Sequence, residues 1–498
     1  MALQKPERIF FGTSLEKNIA IIQRYVGEYA DLVVRRIDFP GGRAAVLYFD
    51  GMTDKDAVSA FIVRPLLVRA DSTASSPEEL AEGCMYIPGW QTADNDRDFM
   101  NSIFAGDCGI LFDGSPCGII TDIKGFDQRG VGEPQTEIVV RGSREGFIEN
   151  MKTNMAMLRR RIKTPGLCFE MLKSGTETNT DICLAYIRGL ADPALVDEAR
   201  RRITAIEIDA ILESGYIEQL IEDEPFSPFP TIANSEKPDK VAAKLLEGRV
   251  AILVDGTPFV LTVPMLFIES FQSAEDYYSR PYMAGMVRLL RFFAFAVAVY
   301  APALYIAVTS YHPELIPTAL MLNMWQSAAS TPLSSGWSVF FYSLVYEVVR
   351  EAGIRLPRPV GAAISIVGGL VIGSMAVEAG LISAPVVIIV AFTAIAMFVV
   401  DALTDAATLL RFVFIFLAWW LGFGGLLLGS LLLLLHLVSL PSFGVPYFAP
   451  FAPLIGYQLR DTLVRFPLWR LGRRPTNITV GSKWRQKEQK PPAGGNDE

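Results

Sequence analysis

Apolar positions are spread very unevenly along the chain. From about residue 287 to 440 they run almost unbroken, opening with Phe292-Phe293-Ala294-Phe295-Ala296-Val297-Ala298-Val299 and closing with Leu431-Leu432-Leu433-Leu434-Leu435. A bilayer's hydrocarbon core of roughly 30 Å takes about 20 mostly apolar residues of helix. The run holds several such lengths and predicts four membrane-spanning helices, at about 289–308, 360–381, 385–400 and 409–437. Pro302 is expected to bend the first. Gly368, Gly369 and Gly373 suit the second to close helix packing. The apolar segment 337–349 is too short to cross as a straight helix and reads as a membrane-surface or re-entrant piece.

Upstream, the pattern changes to short apolar runs punctuated by Gly, Pro and Asp. Residues 14–26 place Leu15, Ile19, Ile22 and Val26 on one face of an amphipathic helix. Two local designs then recur in the same order. Ala44-Ala45-Val46-Leu47-Tyr48-Phe49-Asp50-Gly51 resembles Ile182-Cys183-Leu184-Ala185-Tyr186-Ile187-Arg188-Gly189, and each is followed by a helix-capping Asp, Asp54 or Asp192. Cys108-Gly109-Ile110-Leu111-Phe112-Asp113-Gly114 matches Val250-Ala251-Ile252-Leu253-Val254-Asp255-Gly256, in which Asp-Gly marks a hairpin turn.

The repeat predicts an α/β soluble N-terminal region of two related subdomains, 32–126 and 163–267, followed by an α-helical polytopic membrane domain at 288–456. The remaining parts are a helical lead 1–31, a linker and connecting helix 127–162, a juxtamembrane connection 268–287 and a basic tail 457–498. Ser143 is expected to cap the connecting helix and Arg159-Arg160-Arg161 to end it, favourably for the helix dipole. The triplet reads either as a solvated helix end or as a contact with an acidic neighbouring subunit or lipid headgroups.

Charge adds orientation. The net charge of −8 sits mainly in the soluble part, whereas the tail is basic, with Arg460, Arg465, Arg470, Arg473, Arg474 and Lys483 among others. Basic flanks mark the cytoplasmic side, and four crossings put the N-terminal region and the tail there together. The N-terminus lacks the apolar core of a signal peptide. Overall acidity argues against a nucleic-acid partner. Five cysteines without a CxxC pair suggest free thiols in a reducing compartment.

Chemistry is sparse. There are two histidines, His312 and His436, no GxxxxGK[ST] loop and no strand–GxGxxG–helix unit. No catalytic, metal or cofactor site is expected, and the chain does not read as an enzyme. Ionisable residues at membrane depth are costly and point to function. Glu347 and Glu378 are therefore candidates for lining an ion path, against the alternative of interfacial carboxylates paired with Arg350, Arg355 or Arg358.

Several strings together carry a family resemblance. They include Glu133-Pro-x-Thr-Glu137, Arg141-Gly-Ser-Arg-Glu-Gly-Phe147, Ser214-Gly-Tyr-Ile-Glu-Gln-Leu220, Pro225-Phe-Ser-Pro-Phe-Pro230, Lys237-Pro-Asp-Lys-Val241, Gln272-x-x-Glu-Asp-Tyr-Tyr278, His312-Pro-Glu-Leu315 and Phe443-Gly-Val-Pro-Tyr447. With Arg350-Glu-Ala-Gly-Ile-Arg-Leu-Pro-Arg-Pro359, they make the chain resemble the spore germination protein A-subunit family over nearly its whole length.

The resemblance implies a nutrient germinant-receptor subunit in the spore inner membrane, its N-terminal domain on the core side. It implies a homo-oligomer forming an ion-conducting ring, with a transporter-like B subunit and a lipoprotein C subunit as partners. Glu133, Glu137, Arg141, Arg159, Arg160 and Arg161 are then candidate subunit contacts. Alternatives are a non-conducting scaffold subunit or an accessory channel like stage V sporulation protein AF. Two departures fall where a pore would be shaped: Ser343 replaces a usual acidic residue, and 400–405 replaces a Pro-containing segment.

Overall fold

The computed structural model describes residues 9–26, 30–69, 76–87, 89–125, 134, 136–137, 139, 141–355, 371–480 and 484–485. Two five-stranded sheets occupy its first half. The first is built from β1 (Leu32–Phe39), β2 (Gly42–Phe49), β3 (Trp90–Ala93), β4 (Cys108–Phe112) and β5 (Gly118–Thr121), in the order β1-β2-β4-β5-β3. The second has β6 (Leu167–Ser174), β7 (Thr180–Ile187), β8 (Ala233–Ser235), β9 (Val250–Val254) and β10 (Val260–Val263), in the order β6-β7-β9-β10-β8. Every pairing is antiparallel, and the register agrees between copies: Ala44 faces Phe112 as Ile182 faces Val254. Gly114 and Gly256 turn the hairpins at φ +89° and +92°, which Gly adopts without strain.

Both faces of each sheet are covered, so the central strands are apolar throughout. Ala45, Leu47 and Phe49 pack toward Leu15, Ile19, Phe99 and Ile103, while Ala44, Val46 and Tyr48 pack toward Val58, Ile62 and Leu66. In the second copy, Cys183, Ala185 and Ile187 meet Met155, Leu158, Val241 and Leu245. Ile182 and Leu184 on the other face meet Leu195, Ala199 and Ile203.

The repeating unit starts earlier than the sequence suggested, because each copy owns the helix before it. The Leu15 N–H that opens helix Leu15–Val26 donates to Asp113 Oδ1 at 3.0 Å, and the Met151 N–H that opens helix Met151–Arg161 donates to Asp255 Oδ1 at 3.1 Å. Buried Asn18 exchanges two hydrogen bonds with the Gly12 backbone, and buried Asn154 does the same with Ile148. The connecting helix is capped by Asn150 rather than by Ser143, since Asn150 accepts from the Thr153 N–H and Asp255 holds the first turn.

The C-terminal half is helical, with helices Pro281–Tyr311, Thr318–Ala329, Ser335–Arg355, Ala384–Met397, Thr404–Leu421 and Phe423–Ser439. Among the described residues, Pro281–Tyr311 and Asp401–Leu421 are long and apolar enough to cross a membrane. Of the expected span 360–381, residues 360–370 lie outside the described residues, and 371–378 are helical. The apolar segment 337–349 belongs to a helix of 21 residues, Ser335–Arg355, about 31 Å long at 1.5 Å per residue.

The stretch 409–437, expected as one helix, is instead a hairpin broken at Gly422, whose φ is +56°. A Cβ on Gly425 would collide with the Leu417 carbonyl oxygen, and one on Gly429 would lie 2.7 Å from the Phe414 ring. The glycines thus both turn the chain and let the two helices touch. The outer faces stay apolar, with Leu427, Leu428, Leu431, Leu432, Leu434 and Leu435 exposed.

Candidate functional site

Charged side chains inside the helical half are few, and three of them converge. Glu347, on helix Ser335–Arg355, forms a short ion pair with Arg411 of helix Thr404–Leu421 and a 2.8 Å pair with Arg350 one turn on. Arg350 also donates to Thr408 Oγ1 at 3.2 Å, and Arg411 lies 3.2 Å from the Met397 sulfur. The Arg411 side chain is 1% exposed, in a packed layer with Phe414 and Ile415. One carboxylate against two guanidiniums leaves an excess of positive charge, so this cluster fastens three helices and presents no free carboxylate to a cation. Arg411 escaped the sequence reading, although Leu409-Leu410-Arg411-Phe412 is as anomalous in an apolar run as Glu347. Glu378 stands outside the cluster, exposed at the end of helix 371–378.

A second set of charges ties the helical half to the second α/β copy. Arg288 and Arg291, on helix Pro281–Tyr311, both bind Asp276, at 3.2 and 2.9 Å. Arg288 also reaches Asp461 of the tail at 2.9 Å, and Asp461 accepts from the Tyr277 hydroxyl at 2.9 Å. The tail continues onto the second copy, where Thr479 donates to the Glu247 carbonyl and Arg485 pairs with Glu247. His436 meets Ser227 at 3.0 Å, and Ser442 donates to the Thr231 carbonyl, so the hairpin's end is docked there too.

Of the candidate subunit contacts, Arg159 has to be corrected. It is fully buried within the chain, bidentate to Asp31 at 2.9 and 3.0 Å, and donates to the Leu167 carbonyl at 2.9 Å. The rings of Phe49 and Phe169 flank it at 4.6 and 4.9 Å. It is the joint between the two copies, inaccessible to a neighbour. Arg160 and Arg161 both hold Glu145 at 2.5 Å, and Arg161 also donates to Ser143.

Glu137 binds Lys240 at 2.5 Å and Ser235. Burial pushes its carboxyl up, but Lys240 and Ser235 outweigh that and hold it below the usual range. Arg141 is exposed, its N–H donating to Glu275, and Glu133 lies outside the described residues. Among the described residues, no group of three or more His, Cys, Asp or Glu side chains forms a metal site.

A sequence model of the family described as "Bacillus/Clostridium GerA spore germination protein" matches residues 20–477. The chain belongs to this GerA family. It is 42% identical to spore germination protein KA of Bacillus subtilis, over 98% of this chain and 91% of the relative. It is 41% identical to the uncharacterized membrane protein YfkQ of Bacillus subtilis, over 94% of this chain and 92% of that protein. The solved N-terminal domain of the A subunit of the Bacillus megaterium spore germinant receptor GerK3 is 36% identical, with a TM-score of 0.41, covering 52% of this chain and 98% of that domain.

Proposed function

We propose that this chain is the A subunit of a nutrient germinant receptor, seated in the spore inner membrane by several crossings and assembled with its own copies into an ion-conducting channel. Its transporter-like B subunit and lipoprotein C subunit would complete the receptor, with the N-terminal region and tail on the core side. Family membership supports the receptor role, as does the 42% identity to spore germination protein KA of Bacillus subtilis. The exposed leucines of the C-terminal hairpin support a lipid environment, since water would leave that apolar surface unburied. The docking of the tail on the second α/β copy supports placing both on one side.

The observation that carries the channel role is the cluster of half-buried Glu347 and Arg350 with buried Arg411 among apolar helices. Charge held at that depth is expensive and is kept where it works. With both guanidiniums on Glu347 the path is closed to cations; withdrawal of Arg411 exposes the carboxylate. In spores carrying Glu347→Gln, nutrient-triggered cation release should slow by about tenfold, equivalent to ~1.4 kcal/mol of barrier. Glu378→Ala, measured alongside, asks whether the exposed carboxylate contributes. Unchanged release and selectivity for both variants, in receptors assembled at normal levels, would sink the ion-path assignment.

A non-conducting scaffold is the second reading. It is favoured by the fact that Glu347 is fully paired within one chain. In that case Glu347→Gln lowers receptor abundance while release per assembled receptor stays the same.

A further inference from the structure

Helix Pro238–Leu245 begins against the usual rules. Helix N-caps favour Ser, Thr, Asp or Asn, whose oxygens accept from the first free N–H groups, and the dipole disfavours positive charge there. This helix has Lys237 at its N-cap, and the side chain makes no capping bond. Lys237 is 1% exposed. Its ammonium has no hydrogen-bond acceptor among the described residues. Asp239, the nearest carboxylate, is 3.8 Å away and already accepts from the Tyr278 hydroxyl at 2.6 Å and the Lys240 N–H at 2.9 Å. A buried ammonium with three unmade donors is costly unless an acceptor reaches it.

Lys237 lines a cavity of about 580 Å³ between the second α/β copy and the apolar helices. That is within the range of small-molecule sites and far above the ~30 Å³ share of one water. Lys240 and Lys244 line it too, and the i, i+3, i+7 spacing sets the three lysines on one helix face. Across the cavity are Arg291 of helix Pro281–Tyr311 and Asp401, which is exposed at the rim. The other cations have close partners: Lys240 has Glu137 at 2.5 Å, Lys244 has Glu269 at 3.1 Å, and Arg291 has Asp276 at 2.9 Å. Lys237 alone among these four holds its partner beyond hydrogen-bond reach.

We propose that this cavity binds a phosphate group, with the Lys237 ammonium as its principal contact. A lysine ammonium suits phosphate, and the bound oxygen supplies the acceptor that Lys237 lacks. The phosphate comes from a lipid headgroup or from a small soluble phosphate. The headgroup source rests on the membrane reading above, whereas the soluble source does not.

The test is thermal unfolding of the purified full-length protein in a phosphate-free maltoside detergent, with and without inorganic phosphate at constant ionic strength. A parallel arm adds phosphatidylglycerol to the micelles. Phosphate in at least one arm should raise Tm by several degrees, and Lys237→Met, which keeps the stem and removes the charge, should abolish that rise. A rise with inorganic phosphate identifies a soluble ligand, and a rise confined to phosphatidylglycerol identifies a headgroup. Without added phosphate, Lys237→Met should itself melt higher than the wild type. A rise that survives the substitution, no rise in either arm, or a variant that melts lower without ligand overturns the proposal. If Lys237→Met does not fold, Lys237→Gln serves in its place. Phosphorus NMR of inorganic phosphate with the wild-type protein then reports binding directly, and sharp unshifted lines together with no lipid effect count against the site.

Discussion

In the first α/β copy, Asp113 takes the Leu15 N–H and Asn18 closes on Gly12; in the second, Asp255 takes the Met151 N–H and Asn154 closes on Ile148. Sheet order and register repeat as well. Around this shared frame the copies bury different things. Among the described residues, the charged side chains buried in the first are Asp31 and Asp96, whereas the second buries Glu236, Lys237, Lys244 and Arg249 in addition to Arg159 at the joint. Lys244 shows the cost, since burial pulls its ammonium down to about 8 although Glu269 pushes it back up. The frame is what both copies need in order to fold. Most of the buried charges belong to the copy that touches the helices.

The largest effect is expected at the joint between the copies. Arg159→Met leaves Asp31 buried without its cation and should cost about 3–5 kcal/mol in denaturant unfolding of the full-length protein. Combining it with Asp31→Leu should restore most of that, because a buried ion pair and an apolar pair of similar volume are often close in stability. A double variant as unstable as the single would mean that the slot formed by Phe49, Phe104 and Phe169 requires a guanidinium for its shape.

The shared frame is tested next. Asn18→Ala and Asn154→Ala each remove two buried hydrogen bonds to the backbone, and each should cost ~2 kcal/mol. The comparison predicts similar values. A much smaller loss for Asn18→Ala would show that the first copy's helix is an appendage, and the equivalence of the two units would fail.

How much of this was legible depends on how local each signal is. Strands and Asp-Gly turns are local words, so the duplication could be read directly from residues 44–51, 108–114 and their counterparts. Both entry helices were expected, but not that they belong to the repeat, because the clasp that ties them in joins Asn18 and Asn154 to backbone groups six residues back, at Gly12 and Ile148. Glycine in an apolar run signals either close packing or a turn, and at Gly422 only the backbone angle decides. Arg159 looked like a solvated helix end because its pocket comes from Phe49, Phe104 and Phe169, all distant in sequence or in another element. Arg411 was legible by the rule that singled out Glu347. Its partner in space, like the convergence of Asp276, Arg288 and Asp461, was not, since nothing in linear spacing links positions that far apart.

The smallest effect concerns pH, and it too should set the second copy apart. Glu218, on helix Ser214–Ile221, is pushed up to about 7 by burial and then by the charges of Glu222 and Glu213. Unfolded, the same carboxyl titrates near 4.5. Between these values the folded state holds a proton that the unfolded state has released, so stability falls as pH rises through this window. The loss is complete above about 7 and amounts, after solvent screening, to on the order of 1 kcal/mol. Glu218→Gln removes the dependence. Thermal melts from pH 5 to pH 8 should therefore show the variant gaining on the wild type as pH rises. A constant difference between them would mean that Glu218 stays ionised in the folded protein, and that burial in the second copy does not restrain its charge.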